Sequence, residues 1–194
     1  IRNSLYLNLT TRCTNSCVFC TRLTNPIVQG YSLKLDREPT AEEVWQAIDD
    51  PKKYDEVVFC GYGEPTLRLD VIKEVAKKLK VAGARVRLNT NGHGNVINKR
   101  NILPELAGLI DEVSVSLNAD SSEAYDKICV PLPSFQNGIY SKVLDFIEEA
   151  KKYIPKVQAT IVTHQDGVDE NRCEDIAKTR LGVSYRPRRL DIVG

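Results

Sequence analysis

Residues 4–20 read SLYLNLTTRCTNSCVFC, and this stretch decides the fold class of the chain. Its first half alternates leucine with other residues, which predicts a β-strand that ends near Thr10. Cys13, Cys17 and Cys20 follow in the loop directly after that strand. Because the chain is long enough to bury a core without disulfide staples, this spacing favours metal binding over disulfide bonds.

Strand and helix patterns alternate along the rest of the chain. Further strands are predicted at Glu56–Cys60, Arg85–Thr90, Glu112–Leu117, Lys156–Val162 and Val183–Arg186. Six strand–helix units in succession favour parallel pairing with right-handed crossovers. We therefore expect an α/β fold, a TIM-like partial (β/α)6 barrel in a single domain over residues 1–194. Its chemistry should collect in the loops beyond the carboxyl ends of the strands.

The composition is ordinary for a globular protein, with 42% hydrophobic residues, 27% charged residues and a net charge of +1. This balance predicts no direct nucleic-acid binding and no attachment to a membrane surface. The sequence has no apolar run of membrane-spanning length and no signal-peptide pattern at its start, so it predicts a cytoplasmic protein.

The three cysteines have more than one chemical interpretation. Thiolates bind iron–sulfur clusters, and a tight loop can place three of them on a [4Fe–4S] cubane whose fourth iron stays open to a small molecule. Alternatively, they could hold zinc together with His93 or His164. A fourth cysteine ligand is a further alternative, and the candidates are Cys60, Cys129 and Cys173.

A second motif, CGYGEP, occupies residues 60–65 after the predicted strand 56–60. Gly61 and Gly63 permit a close approach of the backbone to a ligand, and Glu64 offers a carboxylate beside them. This arrangement suits an ammonium group. Taken alone, however, the segment is more typical of an ordinary strand-to-helix turn.

Together, the C-x3-C-x2-C loop and residues 60–65 resemble the radical S-adenosylmethionine (SAM) superfamily. The resemblance implies a barrel of the radical SAM type, with a [4Fe–4S] cluster on Cys13, Cys17 and Cys20 and SAM at its open iron. The resemblance places Phe19 beside the adenine of SAM. Around the methionine amino group of SAM it places Gly61, Tyr62, Gly63 and Glu64. Tyr62 stands where the family usually has glycine.

The resemblance also implies contacts at the ends of later strands. Ser116 and Asn118 would meet the ribose or the methionine carboxylate of SAM, and Val162 would lie near the adenine. Polar residues at strand ends are just as typical of solvated loops.

The reaction implied by the resemblance is reductive cleavage of SAM to a 5′-deoxyadenosyl radical, which abstracts hydrogen from a small-molecule substrate. An electron donor such as flavodoxin or ferredoxin would supply the electron. Residues 61–68 and 88–95 further resemble the TatD-associated radical SAM branch, and within it the queuine lyases, which act on a modified base in queuosine salvage. Two alternatives stay open: a glycyl-radical activase acting on a protein partner, and a zinc-stabilised binding module.

Two residues are candidates for catalysis on the substrate. His93 lies in a glycine-flanked loop, and Cys129 could return a hydrogen atom to a product radical. Their plainer interpretations are a turn histidine bonded to its own backbone and a packed small hydrophobe. Near the carboxyl end, arginines fit either an anionic or nucleobase substrate or a solvated basic terminus, and they are Arg186, Arg188 and Arg189.

Overall fold

The computed structural model describes residues 3–23, 27–28 and 30–189. In chain order its strands are β1 (Ser4–Asn8), β2 (Ile27–Val28), β3 (Tyr31–Ser32), β4 (Glu56–Cys60), β5 (Val86–Thr90), β6 (Glu112–Ser116), β7 (Lys156–Val162) and β8 (Ser184–Arg188). Six of them form one parallel sheet in the order β1-β4-β5-β6-β7-β8, while β2 and β3 pair as a separate antiparallel ribbon. The predicted α/β fold with a parallel sheet is confirmed.

Helices connect the strands of the sheet. They are α1 (Ala41–Ala47), α2 (Leu69–Val81), α3 (Gly94–Ile97), α4 (Leu103–Leu106), α5 (Ser122–Cys129), α6 (Ile139–Ala150) and α7 (Glu170–Asp175), which runs on into a π-helical turn (Ile176–Arg180). Short 3-10 turns occur at Thr21–Leu23, Pro51–Lys53, Pro65–Arg68 and Pro133–Phe135. Over the described ranges, we find no helix that combines the length and the apolar character needed to cross a membrane.

The two faces of the sheet differ in chemistry. On one face, alternate strand residues such as Phe59, Val115 and Ile161 are fully buried beneath the helices. The other face is polar. One row of register partners across it is Tyr6, Val58, Arg87, Glu112 and Lys156. Side chains alternate between the two faces along a strand, so alternating apolar and polar residues give the sheet one apolar face and one polar face.

Residues from the first and last strands of the sheet line one cavity of about 300 Å³, which shows that the sheet is curved. We call the polar concave side of the sheet the lumen. The cavity lies toward the amino-terminal ends of the strands, and its lining residues are Ser4, Tyr6, Glu56, Arg85, Arg87, Glu112, Lys156, Gln158 and Arg186. The carboxyl ends, where the motif loops emerge, form the opposite edge of the lumen.

The sequence interpretation missed helix α5. It has only eight residues, and Ser121 caps it by accepting a hydrogen bond from the Ala124 amide at 3.2 Å. Its buried face carries Tyr125 and Ile128. This is too short a run for periodicity to separate a helix from an irregular excursion. The last strand also extends to Arg188, two residues beyond its predicted end.

Candidate functional site

The cysteine loop follows β1 at the carboxyl edge of the sheet. Cys13, Cys17 and Cys20 are all free thiols and all half-buried. The Asn15 amide donates to the Cys13 sulfur at 3.4 Å, and the Cys20 amide donates to the carbonyl of Cys17 at 3.0 Å. The loop is thus a tight turn that presents three sulfur atoms from one short segment.

The 60–65 motif braces the cysteine loop from one side. The Gly63 amide donates to the carbonyl of Thr10 at 3.0 Å, and the Glu64 amide donates to the carbonyl of Arg12 at 2.8 Å. A Cβ atom on Gly63 would lie 2.0 Å from the Arg12 carbonyl oxygen. Glycine is therefore required here because two backbone segments approach closely.

Tyr62 extends the same brace toward the last cysteine. Its amide lies 3.3 Å from the Asn8 side-chain oxygen, and its hydroxyl donates to the carbonyl of Thr21 at 2.9 Å. Thr21 directly follows Cys20. Tyr62 therefore helps to hold the end of the cysteine loop.

The chain after α5 braces the cysteine loop from the other side. The Ser16 amide donates to the carbonyl of Val130 at 3.0 Å, and the Leu132 amide donates to the carbonyl of Thr14 at 2.9 Å. These bonds form a short antiparallel pairing between segments that are distant in sequence. The loop is consequently fixed along both edges.

Glu64 faces inward rather than into an open cradle. Only 2% of it is exposed. Its carboxylate accepts hydrogen bonds from the hydroxyls of Thr66 at 2.6 Å and Thr90 at 2.7 Å, and from the Asn91 amide at 2.7 Å. Burial raises the pKa of Glu64, and these hydrogen bonds oppose that rise. The carboxylate therefore fixes the motif to the end of β5.

His93 links the cysteine loop to α5 and has no exposed surface. Its Nδ1 lies 2.8 Å from the Thr14 hydroxyl, and its Nε2 lies 2.9 Å from the Tyr125 hydroxyl, which also accepts a hydrogen bond from the Asn15 side chain at 3.1 Å. The imidazole stacks on the ring of Phe135. Burial lowers the pKa of His93 to about 3, so it is neutral near pH 7.

Cys129 is buried against the cysteine loop. The pKa of Cys17 is raised, chiefly by a hydrogen bond with Cys129 and secondly by burial. The Asn118 amide nitrogen lies 3.6 Å from the Cys129 sulfur. The side-chain oxygen of Asn118 is buried and has no partner within the part of the chain that the structure describes.

Three of the predicted SAM residues lie elsewhere around this edge. Phe19 is half-buried and packs against the core. Ser116 ends β6, where it pairs in register with Thr160, and Val162 ends β7, where it pairs in register with Arg188. All three therefore lie at the edge of the sheet that carries the cysteine loop.

A comparison with protein families decides the class of this chain. The model of the radical SAM superfamily matches residues 7–179. The chain belongs to the radical SAM superfamily. Members of this superfamily use a [4Fe–4S] cluster and SAM, so the two cofactors predicted from the sequence are confirmed.

Individual relatives agree with this family. One relative is a Methanocaldococcus jannaschii protein whose name describes it as a glycyl-radical enzyme activating enzyme. It is 31% identical over 170 residues, which cover 86% of this chain and 64% of that protein. A second protein of the same organism is 27% identical over 89% of this chain and 51% of its own length. The chain thus spans less than two thirds of these curated relatives.

Two solved structures share the fold of this chain. The [FeFe]-hydrogenase maturase HydG aligns with a TM-score of 0.63 at 17% identity, over 96% of this chain and 43% of its own. Streptococcus suis SuiB, bound to its precursor peptide, aligns with a TM-score of 0.62 at 16% identity, over 85% of this chain and 34% of its own. At these identities the likeness concerns the fold alone.

The residues present fit both cofactors of a radical SAM protein. Three free thiols come from one braced loop, as three corners of a cubane require, while among the described residues no three side chains of His, Cys, Asp or Glu already converge on one metal-ion position. Burial, with the nearby Glu64 carboxylate, raises the pKa of Cys13 to about 12, so binding of cationic iron must displace its proton. The unpartnered oxygen of Asn118 suits a hydroxyl or amino donor of SAM.

The zinc alternative does not agree with where the histidines lie. Both ring nitrogens of His93 already meet hydroxyl groups. His164 is 81% exposed and lies beside Glu170. Neither histidine is placed as a fourth ligand for the three cysteines.

Proposed function

We propose that this chain binds a [4Fe–4S] cluster through Cys13, Cys17 and Cys20 and uses it to cleave SAM for hydrogen abstraction from a substrate in the lumen. When bound, the reduced cluster supplies one electron to the sulfonium of SAM, which yields methionine and a 5′-deoxyadenosyl radical. The observation that carries this proposal is the pairing of the cysteine loop on both sides, which holds three free cysteines of one short segment at the carboxyl edge of the sheet.

The chain's own residues would orient SAM and the cluster. Glu64 holds the backbone of residues 61–63 in place, and this backbone is the proposed cradle for the methionine amino group. Asn118 offers its unpartnered oxygen to SAM, and Ser116 would lie near the ribose or the methionine carboxylate. Phe19 and Val162 supply apolar contacts for the adenine, which exclude water from the reactive end of the cofactor.

His93 and Cys129 take a different place in this proposal. Both lack exposed surface, and both contact the cysteine loop or the segment paired with it. Their contacts support a positioning role for His93 and a packing role for Cys129. Direct contact with the substrate, as expected from the sequence, remains a prediction for both residues.

Anaerobic reconstitution tests the proposal. We expect the chain to take up a full [4Fe–4S] complement and to release 5′-deoxyadenosine when dithionite and SAM are added. Serine in place of Cys13, Cys17 or Cys20 should abolish both. The matched control is Cys173→Ala, because Cys173 is a buried cysteine of α7 outside the site. Stoichiometric zinc in place of iron would overturn the proposal.

We propose a small-molecule substrate, with a carbon–nitrogen lyase reaction on queuine as the narrowest candidate. The support for queuine is the resemblance of residues 61–68 and 88–95 to the TatD-associated branch, the branch in which we place the queuine lyases. Anaerobic incubation of the loaded protein with queuine, SAM and a flavodoxin or ferredoxin donor should release a 7-deazaguanine product. No product from protein that still cleaves SAM would dismiss queuine. We place the reaction in the cytoplasm because free thiols persist in a reducing compartment.

A second candidate function is activation of a glycyl-radical enzyme. The relative that is 31% identical favours it, because its name ascribes this activity to it. Electron paramagnetic resonance separates the two candidates. An activase would generate a glycyl-radical signal on an added glycyl-radical enzyme, whereas an enzyme for small molecules would leave that protein unchanged.

A further inference from the structure

The last strand of the sheet carries two arginines toward the lumen. Tyr185 packs against the core, so its neighbour Arg186 points to the other face, and Arg188 does so two residues later. Arg186 lines the 300 Å³ cavity. Arg188 lies level with Val162 at the carboxyl edge. The pair therefore reaches from the cavity toward the cofactor end of the lumen.

The cavity has more cations than anions. Four basic side chains line it, those of Arg85, Arg87, Lys156 and Arg186. Two carboxylates also line it, those of Glu56 and Glu112. Both carboxylates are already paired: Glu56 with Arg87 at 2.7 Å, and Glu112 with Arg85 and Lys156 at 2.7 and 3.0 Å. Among the described residues, no side chain forms a hydrogen bond or ion pair with the guanidinium of Arg186.

Arg188 is the more unusual of the two. Its Nε atom is buried and has no hydrogen-bond partner over the described ranges of the chain. Burial lowers its pKa, as do the positive charges of Arg186 and Arg87, while Cys60 and Tyr6 face it and act in the opposite direction. Arg188 as a whole is half-buried, so the cost falls on its Nε atom, and an anionic ligand that accepts a hydrogen bond from Nε would remove that cost.

We propose that Arg186 and Arg188 form an anion subsite that binds a carboxylate or phosphate group of the substrate. A guanidinium binds either group in a bidentate manner, and two of them on one face of a strand fix its orientation. The location of this subsite beside the reacting centre rests on the proposed function. The subsite favours an acidic or phosphorylated small molecule over an uncharged or cationic base, and so weighs against queuine.

The methionine carboxylate of SAM is a second source of the same anionic group. If it were the ligand, loss of Arg188 would weaken SAM binding. If the substrate is the ligand, loss of Arg188 would leave SAM binding unchanged and weaken the binding of other anions. The two sources therefore give opposite results in separate titrations.

Calorimetric titration of the cluster-loaded chain tests the subsite. The probes are inorganic phosphate, succinate and the uncharged analogue succinamide, each titrated once with SAM present and once without it, and SAM itself is titrated separately. We expect the wild type to bind at least one of the two anions more tightly than succinamide. Arg188→Gln and Arg186→Gln should each weaken that binding by about tenfold or more. The matched control is Arg180→Gln, because Arg180 is an exposed arginine of the π-helical turn.

Arg188→Lys keeps the charge but loses the bidentate geometry, and it should recover part of the affinity. Equal binding of succinamide and the anions, or full anion affinity in Arg188→Gln, would overturn the subsite. So would a loss confined to SAM. Cluster content and 5′-deoxyadenosine release, measured on the same proteins, report separately on the proposed function. If no cluster is taken up, the titrations without SAM still decide whether the lumen binds anions.

Discussion

His93 connects two segments of the proposed cofactor site. One ring nitrogen meets Thr14 in the cysteine loop, and the other meets Tyr125 in α5. A neutral imidazole can donate one of these hydrogen bonds and accept the other, whereas a protonated ring could only donate. Because both partners are hydroxyl groups, which accept as well as donate, it is burial rather than hydrogen bonding that disfavours the charged ring.

The low pKa of His93 predicts a specific acid sensitivity. Its pKa is about 3 in the fold against an ordinary 6.5, so between these pH values only the unfolded chain binds the proton. The free energy of unfolding should fall as pH drops below 6.5, by at most about 1.4 kcal/mol per pH unit from this residue. His93→Gln should reduce this dependence of the free energy of unfolding on pH. The measurement is urea unfolding of cluster-free protein, compared near pH 7 and at about pH 5.

His164→Gln is the control for that measurement. His164 is the other histidine of the chain, and its side chain is exposed. Its replacement should give the same dependence of the free energy of unfolding on pH as the wild type shows. An unchanged slope in His93→Gln would show that the ring already gains a proton in the folded protein.

The residues of the two motifs could be read from the sequence because their spacing is local. The partners of His93 could not. Thr14 lies 79 residues before it and Tyr125 lies 32 residues after it. Contacts over such separations are set by the order of strands in the sheet, and the order alone does not say which side chains meet. The buried face of α5 was the only local signal of this network.

At the scale of elements, the cysteine loop is held between two backbone segments. The turn after β4 supplies one set of hydrogen bonds, and the chain after α5 supplies the other. Both sets consist of backbone hydrogen bonds, and the Tyr62 hydroxyl adds one side-chain bond to the first. Substitutions that move either backbone should therefore affect cluster binding before they affect the core.

Gly63→Ala is expected to displace the cysteine loop. The added methyl would lie 2.0 Å from the Arg12 carbonyl oxygen, a contact that only a backbone shift relieves. We expect most of the cluster iron to be lost, measured as iron per chain after anaerobic desalting.

Gly83→Ala separates this steric effect from ordinary glycine strain. Gly83 has a positive φ of 78° but open space around its Cβ position. Its substitution should cost about 1 kcal/mol of stability and keep the cluster. Equal iron content in both variants would contradict the brace.

Val130 is a strained point in the second brace. It ends α5 with φ 44° and ψ 67°, the left-handed region that disfavours β-branched residues. Val130→Asn should relieve about 1 kcal/mol of this strain and raise the urea midpoint by the corresponding amount. Val81→Asn is the control, because Val81 is exposed on the last turn of α2 and has no such strain. A lower midpoint for Val130→Asn would refute the prediction.

The major elements were predictable because their patterns are strong. Strands β4 to β7 alternate or run apolar over five residues or more, and α2 and α6 carry clear apolar stripes. The short elements were not predictable. The ribbon of β2 and β3 has two residues per strand, and α7 changes to a π-helical turn at Ile176. Such features depend on tertiary contacts rather than on local preference.

At the scale of the molecule, the sheet separates stability from chemistry. Its helix-covered face buries the apolar core, and its lumen carries the polar side chains. The alternation in β5, VRLNT, and β6, EVSVS, indicates this division in the sequence. The curvature, which brings Arg186 of β8 into a cavity with Tyr6 of β1, needs all six strands together. No segment of the sequence contains that information.

The pairing of residues 14–18 with residues 128–132 also sets an order for biosynthesis. The thiols leave the ribosome before the segment that steadies them, which is made more than a hundred residues later. Iron delivered to the nascent chain should therefore be held loosely until α5 emerges. A chain released after residue 120 should take up iron and lose it on desalting, while the full chain keeps it. Firm retention by the shorter chain would show that the first brace suffices for metal insertion during translation.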